Sequence, residues 1–416
     1  MRNRMVRDAL CAALSLGAAA IGTARVHAQE EAPVDLGRMV TTGSRLSQID
    51  LEGAKPIAVI TREAIELSGQ PTVADVLRSS TLNTFGSYRE VSGNDWPGQA
   101  EIDLRGLGSG RTLVLLDGRR LPRSPVTGDQ FIDLNVIPLE AIERIEILQD
   151  SASAIYGSDA IGGVVNIILR KGYEGVQFRA GGSSPTQAGG DESNGSVVFG
   201  STSNRGSFLV SAERYEKDIV FDRDRPYAAS NFGDGSLFGT TSGLSLAGNT
   251  AIDANTFDLI GLNSTDCESL ADSSGSQLFS YYNYPSWGPG STACAYPYAD
   301  VEALSQQLKR QSAFVNASYE VSPELTVEYA GSYSRVEAFG RYAPAVALFE
   351  FALNGADLPA SAPAEWQALG DFYLAHRFAA FGPRDNTTID TQWHHAISFD
   401  GTKGAVDYKL DLYTTR

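Results

Sequence analysis

After its first 28 residues the sequence has no run of 18 or more apolar residues, so no segment of it reads as a membrane-spanning helix. Cysteine and methionine are scarce, at three each, and there are only four histidines in 416 residues. Phosphate-binding GxxxxGK[ST], zinc-binding HExxH and nucleophile-elbow GxSxG patterns are missing, which leaves an enzyme without a recognisable catalytic constellation. Positive charge is also short: 33 Lys and Arg stand against 50 Asp and Glu, a balance of −17 that argues against nucleic-acid binding. What the chain has in quantity is 42 glycines and 35 Tyr and Phe, a composition that fits strands better than helices.

The first 28 residues read as a Sec-type signal peptide. Arg2, Arg4 and Arg7 precede the apolar stretch Ala9 to Ile21, and "VHA" (Val26 to Ala28) is a small-residue cleavage site. Cys11 sits inside the apolar stretch rather than after it, which argues against a lipoprotein anchor. Cleavage takes four Arg and one Asp, leaving 29 basic and 49 acidic residues and a net charge of −20. Cys267 and Cys294 remain. An even count in an exported chain predicts a disulfide between them, because no further Cys or His is spaced to make them metal ligands.

Residues 29–53 are a polar lead holding one β-prone patch, "LGRMVTTGSRL", of a kind that can add as a strand to a partner's sheet edge. Residues 54–171 mix short helices and strands in a small α+β domain. "TREAIELSG" has a cap at Thr61 and a stop at Gly69, and "PTVADVLRSS" predicts a second short helix with Pro71 in its first turn. "AEIDLRG" and "TLVLLDG" read as strands ending in glycine turns, and "PLEAIERIEILQD" as a brief helix running into a strand.

From Gly172 the pattern changes to period two. Ala313, Val315, Ala317, Tyr319 and Val321 alternate with Asn316, Ser318 and Glu320. Leu325, Val327, Tyr329 and Tyr333 alternate with Thr326, Glu328, Ser332 and Ser334. Trp393, His395, Ile397 and Phe399 do the same, as do Val406, Tyr408, Leu410 and Leu412. Seven strands are expected, near 175–183, 193–201, 206–219, 312–322, 325–339, 389–399 and 404–415. Tight turns ("TSNR", "SPE", "DGTKG") alternate with longer connections, the habit of outer-membrane barrels whose tight turns are periplasmic. On that reading the cysteine pair falls in the longest external loop. A soluble sandwich alternates too, and alternation does not say which face is convex.

"TLVLLDGRRL", "IPLEAIERIEIL" and "SASAIYGSDAIGGVVNIILRK" together resemble the plug domain of TonB-dependent outer-membrane receptors. Asp117-Gly118, Arg144-Ile145-Glu146, Tyr156-Gly157 and Gly162-Gly163 fall on that family's pattern, while Gln149-Asp150 stands where many members have Arg-Gly. The resemblance implies a mainly β protein: signal peptide 1–28, periplasmic lead 29–53, plug domain 54–171, and 172–416 as the N-terminal part of an antiparallel transmembrane β-barrel. It implies a TonB box at Arg38, Met39, Val40, Thr41 and Thr42, and energy-coupled uptake of a scarce solute such as a siderophore, cobalamin or oligosaccharide across the outer membrane. The implied partners are TonB with its inner-membrane energising complex, outer-membrane lipid and a small-molecule or chelate ligand. No cofactor is implied. The plug strand Val164 to Ile168 then hands the chain to the wall at Gly172.

The loops 85–99 and 118–131 are the expected ligand-facing parts of the plug, with Tyr88, Arg89, Trp96, Arg120, Arg123 and Asp129 as candidates. "RGLGSGR" holds a GxGxG run, but a strand follows at Leu113 and leaves no room for a phosphate-binding helix. His394 and His395 are neighbours in a strand and face opposite sides, which argues against a shared metal or haem. With no signalling domain expected ahead of the patch, a plain transporter is favoured over a transducing receptor. Barrels of this family have about 22 strands, so roughly 15 are unaccounted for and a truncated, non-transporting fragment is a second expectation. An adhesin or a passive porin is a competing class.

Overall fold

The computed structural model describes residues 57–80, 98–127, 131–149, 152–229, 249–255, 259–260, 280–283, 292–295, 298–348, 352–361, 364–378, 381–404 and 406–416. The expected signal peptide and the expected lead with its TonB-box patch lie outside these residues.

β1 (Ile57–Thr61) leads directly into α1 (Arg62–Ser68). The Thr61 hydroxyl accepts the Ala64 N–H, and Gly69 ends the helix at φ 64°, the two caps expected from the sequence. α2 (Val73–Ser79) begins later than expected. Thr72 is its cap, accepting the Asp75 N–H and donating to the Asp75 carboxylate, so Pro71 stays outside the first turn. β2 (Thr112–Leu116) and β3 (Arg119–Arg120) form a hairpin about Asp117-Gly118, and β4 (Ile142–Leu148), α3 (Ser153–Tyr156) and β5 (Gly163–Leu169) follow. The sheet order is β1-β4-β5-β2-β3, with β2 and β5 the one parallel pair.

All five residues of β2 are buried, which is why "TLVLL" shows no alternation: both faces of the strand are covered. Val114, Leu116, Val165 and Ile167 pack with Ile65, Val73 and Leu77 of the helices. Leu113, Leu115 and Val164 pack on the other side with Ala152 and Ala160. Gly163 is needed where it stands. Its φ is +138°, and a Cβ there would lie 2.5 Å from the Leu148 carbonyl oxygen.

"AEIDLRG" is not a strand. It is irregular from Gln99 to Asp103 and closes in a 3-10 turn at Leu104–Gly106, with Arg105 at φ 66°. Side chains satisfy its backbone instead of a neighbouring strand: Ala100 N–H goes to Asp133, Leu104 N–H to Thr112 and Gly108 N–H to Asp103. The brief helix expected at 138–141 is likewise a 3-10 turn, Leu139–Ala141.

The wall starts with β6 (Gly175–Ser183), β7 (Glu192–Ser203) and β8 (Gly206–Lys217). A long connection then carries β9 (Val220–Phe221), β10 (Asn249–Asp253), β11 (Leu259–Ile260), β12 (Ser280–Asn283), β13 (Thr292–Ala295) and β14 (Ala303–Ser305). β15 (Gln307–Ser322) and β16 (Leu325–Tyr342) return to the wall. β17 (Val346–Leu348), β18 (Leu353–Asn354) and β19 (Asp371–Arg377) lie in the next connection, and β20 (Arg384–Lys403) and β21 (Val406–Thr415) complete the chain. The seven wall strands form one antiparallel sheet, β21-β20-β16-β15-β8-β7-β6, as expected. β15, β16 and β20 outrun their expected upper ends by three to five residues.

The structure settles which face is which. The Asn316, Glu328, Ser334 and Ser398 side is buried against the small domain. Phe178, Phe199, Val210, Tyr319, Trp393, Leu410 and Leu412 are exposed on the opposite side. On β16 this apolar face runs from Leu325 to Tyr333, roughly 27 Å of strand at about 3.3 Å per residue. Beyond it the same face carries Arg214, Gln311 and Arg335 in one cross-strand row. Tyr333 and Trp393, their rings 4.5 Å apart, mark the boundary.

If this band meets lipid, Val315→Arg, in its middle, should destabilise the folded protein by about 2–4 kcal/mol, whereas Gln311→Arg, beyond the boundary, should cost about 0–1 kcal/mol. Denaturant unfolding in lipid vesicles measures both.

Candidate functional site

Where the small domain meets the wall, two cross-strand rows carry the polar contacts. The first is Thr202, Ser207, Ser318, Glu328, Ser398 and Asp411, directly opposite one another across successive strands. The second is Arg179, Ser196, Glu213, Ser312, Ser334 and Gln392. On β8 they are separated by the step from Ser207 to Glu213, about 20 Å of strand. Directly paired residues share a face, so each row is a polar rung on the inner side of the wall.

The first rung holds the domain where the chain leaves it. Lys171 Nζ lies 2.8 Å from Glu328, which also accepts the Asn316 side chain at 2.9 Å. Ser207 Oγ donates to the Lys171 carbonyl. Arg119 donates to Asp411 at 2.7 Å and to Ser398 at 2.6 Å. The Asp117-Gly118 turn sets this geometry. Asp117 sits at φ 49°, its carboxylate accepts the Leu169 N–H at 2.9 Å, and Gly118 N–H goes to Asn166. Burial pushes the Asp117 carboxyl up, although the Leu169 N–H, Lys171 and Arg119 pull the other way. Burial works to lower the Lys171 ammonium, but Glu328, with Asp117 and Asp400 behind it, outweighs burial and holds it above the usual lysine value.

The second rung holds the helices and the 134–140 segment. Glu213 accepts the Leu139 and Glu140 N–H groups at 3.3 and 3.0 Å, the Ser312 hydroxyl at 3.0 Å and Arg310 at 3.2 Å. Arg310 is 2% exposed and also donates to the Pro71 carbonyl. Glu140 pairs with Arg62 at 2.6 Å, accepts Ser196 at 3.0 Å and lies 3.5 Å from Arg179, which also pairs with Glu66. Ser334 donates to the Val136 carbonyl. A cavity of about 510 Å³ remains here between the helices and β6–β8, edged by Gln70, Glu140, Arg179 and Arg310.

Of the ligand candidates, Arg120 and Arg123 are described. Both converge on Asp159, at 2.5 and 3.4 Å, and all three side chains are partly exposed. Arg120 also donates to the Tyr156 carbonyl and Arg123 to the Gly110 carbonyl. Beside them a cavity of about 390 Å³ is lined by Gly108, Gly110, Arg111 and Ser158, so the "RGLGSGR" loop shares this region. Tyr88, Arg89, Trp96, Asp129 and Cys267 lie outside the described residues, as does the side chain of Cys294. Cys294 belongs to β13, opposite Tyr281. His394 faces inward and bonds Thr415, while His395 faces outward and bonds Tyr329, the division expected from their adjacency.

Glu213 and Asp411 of the rungs, and Arg62, Arg119, Glu140 and Arg310 that meet them, were not singled out from the sequence. One signal was available. Charged residues on the hidden alternate of an amphipathic strand demand partners, and those partners must come from whatever fills the inside.

The model of the TonB-dependent receptor plug domain family matches residues 50–164. The iron-regulated outer membrane virulence protein of Vibrio cholerae serotype O1 is 33% identical over 230 residues, covering 53% of this chain and 33% of that protein. Among solved structures, a mutant ferric enterobactin receptor from Pseudomonas aeruginosa is similar over 87% of this chain and 41% of its own, at 17% identity and a TM-score of 0.49. The siderophore receptor from Acinetobacter baumannii is similar over 86% of this chain and 47% of its own, at 18% identity and a TM-score of 0.41. The chain thus spans a third of the curated relative's length.

Removing the Glu213 carboxylate leaves Arg310 buried without its counter-ion and two N–H groups without acceptors. Glu213→Ala should therefore destabilise the seated domain by about 3–5 kcal/mol, against less than about 0.5 kcal/mol for Arg335→Ala on the outer face. Urea midpoints of the two variants give the comparison.

Proposed function

We propose that this chain, which carries a TonB-dependent receptor plug domain seated on the inner face of an outer-membrane wall, serves the energy-coupled uptake of an iron–siderophore chelate. The observation that carries the reading is the seating itself. The plug is held inside the wall by charge pairs and hydroxyls, contacts that water can replace one at a time when the plug shifts. An adhesin has no use for a displaceable core, and a passive porin would be obstructed by one.

The parts divide the work by position. The patch at Arg38 to Thr42 would add as a strand to TonB, which gives affinity through main-chain hydrogen bonds and a handle along the chain axis. Tension would reach β1 and α1 first, and with them Arg62 and Glu66 at the second rung. The loops 85–99 and 118–131 would meet the chelate, with Tyr88, Arg89, Trp96, Arg120, Arg123 and Asp129 offering aromatic faces and cations to an anionic ligand. Cys267 and Cys294 would brace the longest external connection. The choice of an iron chelate over cobalamin or an oligosaccharide rests on the iron-regulated relative.

Disrupting the encoding gene in the source bacterium should abolish uptake of radiolabelled iron supplied as the chelate it uses. Val40→Pro in the intact gene should reproduce the loss with chelate binding retained, because proline cannot complete the added strand. Undiminished iron uptake in the disrupted strain, with cobalamin or oligosaccharide uptake lost instead, would reassign the substrate. Val40→Pro cells that still import would remove the coupling.

A further inference from the structure

Beyond the wall, the two ends of the long connection are stitched together. β9 pairs with β14, the Asp222 N–H donates to the Glu302 carbonyl at 3.0 Å, and Arg223 donates to the Asp300 carbonyl. Arg225 extends the joint to the connection between β6 and β7, donating to the Ala188 and Gly189 carbonyls at 2.7 and 3.2 Å. Asp218 N–H reaches the Asp191 carbonyl of the same connection at 2.8 Å.

Asp222 sits in this joint. The residue is 7% exposed, and its side chain has no hydrogen-bond or ion-pair partner among the described residues. The charged groups around it are Arg223, Asp224 and Arg225 on its own turn, Asp300 and Glu302 on the facing segment, and Asp191 and Asp218 at the margin. Both cations are committed elsewhere. Arg223 lies 4.1 Å over the Phe221 ring and binds the Asp300 carbonyl, and Arg225 is spent on the carbonyls of residues 188, 189 and 224. Burial, and after it the like charge of Glu302, push the Asp222 carboxyl up to about 6. A cation could also neutralise such a group, but no cluster of three acidic, His or Cys ligands exists among the described residues.

We propose that Asp222 is a proton-operated clasp. When protonated it holds the two ends of the long connection against the first one, and when ionised it loosens all three. The sign follows from linkage. The joined form binds the proton more tightly than an open chain with the ordinary carboxyl value of 3.8. The joint is therefore tightest below about pH 4, weakens as pH rises through the window to about 6, and changes little above it. The full swing in the closed-to-open ratio is on the order of a hundredfold.

Hydrogen exchange by mass spectrometry on the full receptor, corrected for the intrinsic effect of pH, tests this on peptides covering 218–229 and 298–306. The wild type should be at least about tenfold better protected near pH 4 than near pH 7. Asp222→Asn, an isostere that stays uncharged, should be protected at both. Equal protection of the wild type at the two pH values overturns the clasp, and so does an Asn variant that keeps the wild-type pH dependence. Protection restored near pH 7 by calcium in the wild type but not in Asp222→Asn overturns it in favour of a metal ion.

Discussion

Charge hidden inside a wall must find opposite charge or hydrogen bonds there, and this requirement shapes the molecule. Glu213, Arg310, Glu328 and Asp411 stand on the inner side of amphipathic strands whose outer side is apolar. Facing an empty lumen they would sit in water. Facing a domain they must be answered, and Lys171, Arg119, Pro71 and the Leu139–Glu140 amides answer them. Between the rungs the contact is apolar, with Val198, Leu209, Phe314 and Ala330 of the wall in one cluster with Ile167 and Leu169 of the plug. Apolar contact gives the fit area, and the rungs give it register, since a shift of one residue turns every rung side chain to the outer face.

The two rungs also divide the plug by sequence. The first takes the β2–β3 turn and the exit at Lys171, all close to the parallel pair that forms the buried centre of the sheet. The second takes α1, the end of the link into α2 and the 134–140 segment, which reach the sheet through the edge strand β1 and through β4. The exit is therefore tied to the best-covered strands, and the part nearest the N-terminus to an edge. Edge elements with part-exposed hydrogen bonds occupy the low end of the local stability range.

How much of this was legible follows from how local each cause is. Both caps of α1, the β2 and β5 strands and all seven wall strands could be read because a hydroxyl, a glycine or a two-residue period decides them within a few positions. "AEIDLRG" misled because its alternation is real but its polar side is buried too. Gln99, Glu101 and Asp103 are all hidden, and residues up to 33 positions away hold the backbone. The extra length of β16 and β20 was missed because above the boundary the outer face turns charged, at Arg335, Glu337 and Asp385, so hydropathy stops reporting a strand that hydrogen bonds continue. The rungs were invisible for a related reason. Every member could be recognised as the polar half of a strand, but its partner lies up to 292 positions away in sequence and only folding brings the two together.

The length of those strands explains the rest of the architecture. β16 has 18 residues, about 60 Å of strand, against the roughly 27 Å that its apolar face covers. The surplus lies on the side of the long connections, which extend the sheet instead of ending it. β10 from one pairs with β19 from the other, and β19 in turn takes β17 and β18. The wall rises past its apolar band and is then joined loop to loop, and the β9–β14 joint lies at the base of one of those loops. The sequence property behind this is the alternation itself: the inner face keeps its small and polar residues up through Ser334, Val336 and Ala338, while the outer face changes from greasy to charged. One strand thus carries an apolar outer face below and a charged one above, with no break in its hydrogen bonds to mark the change.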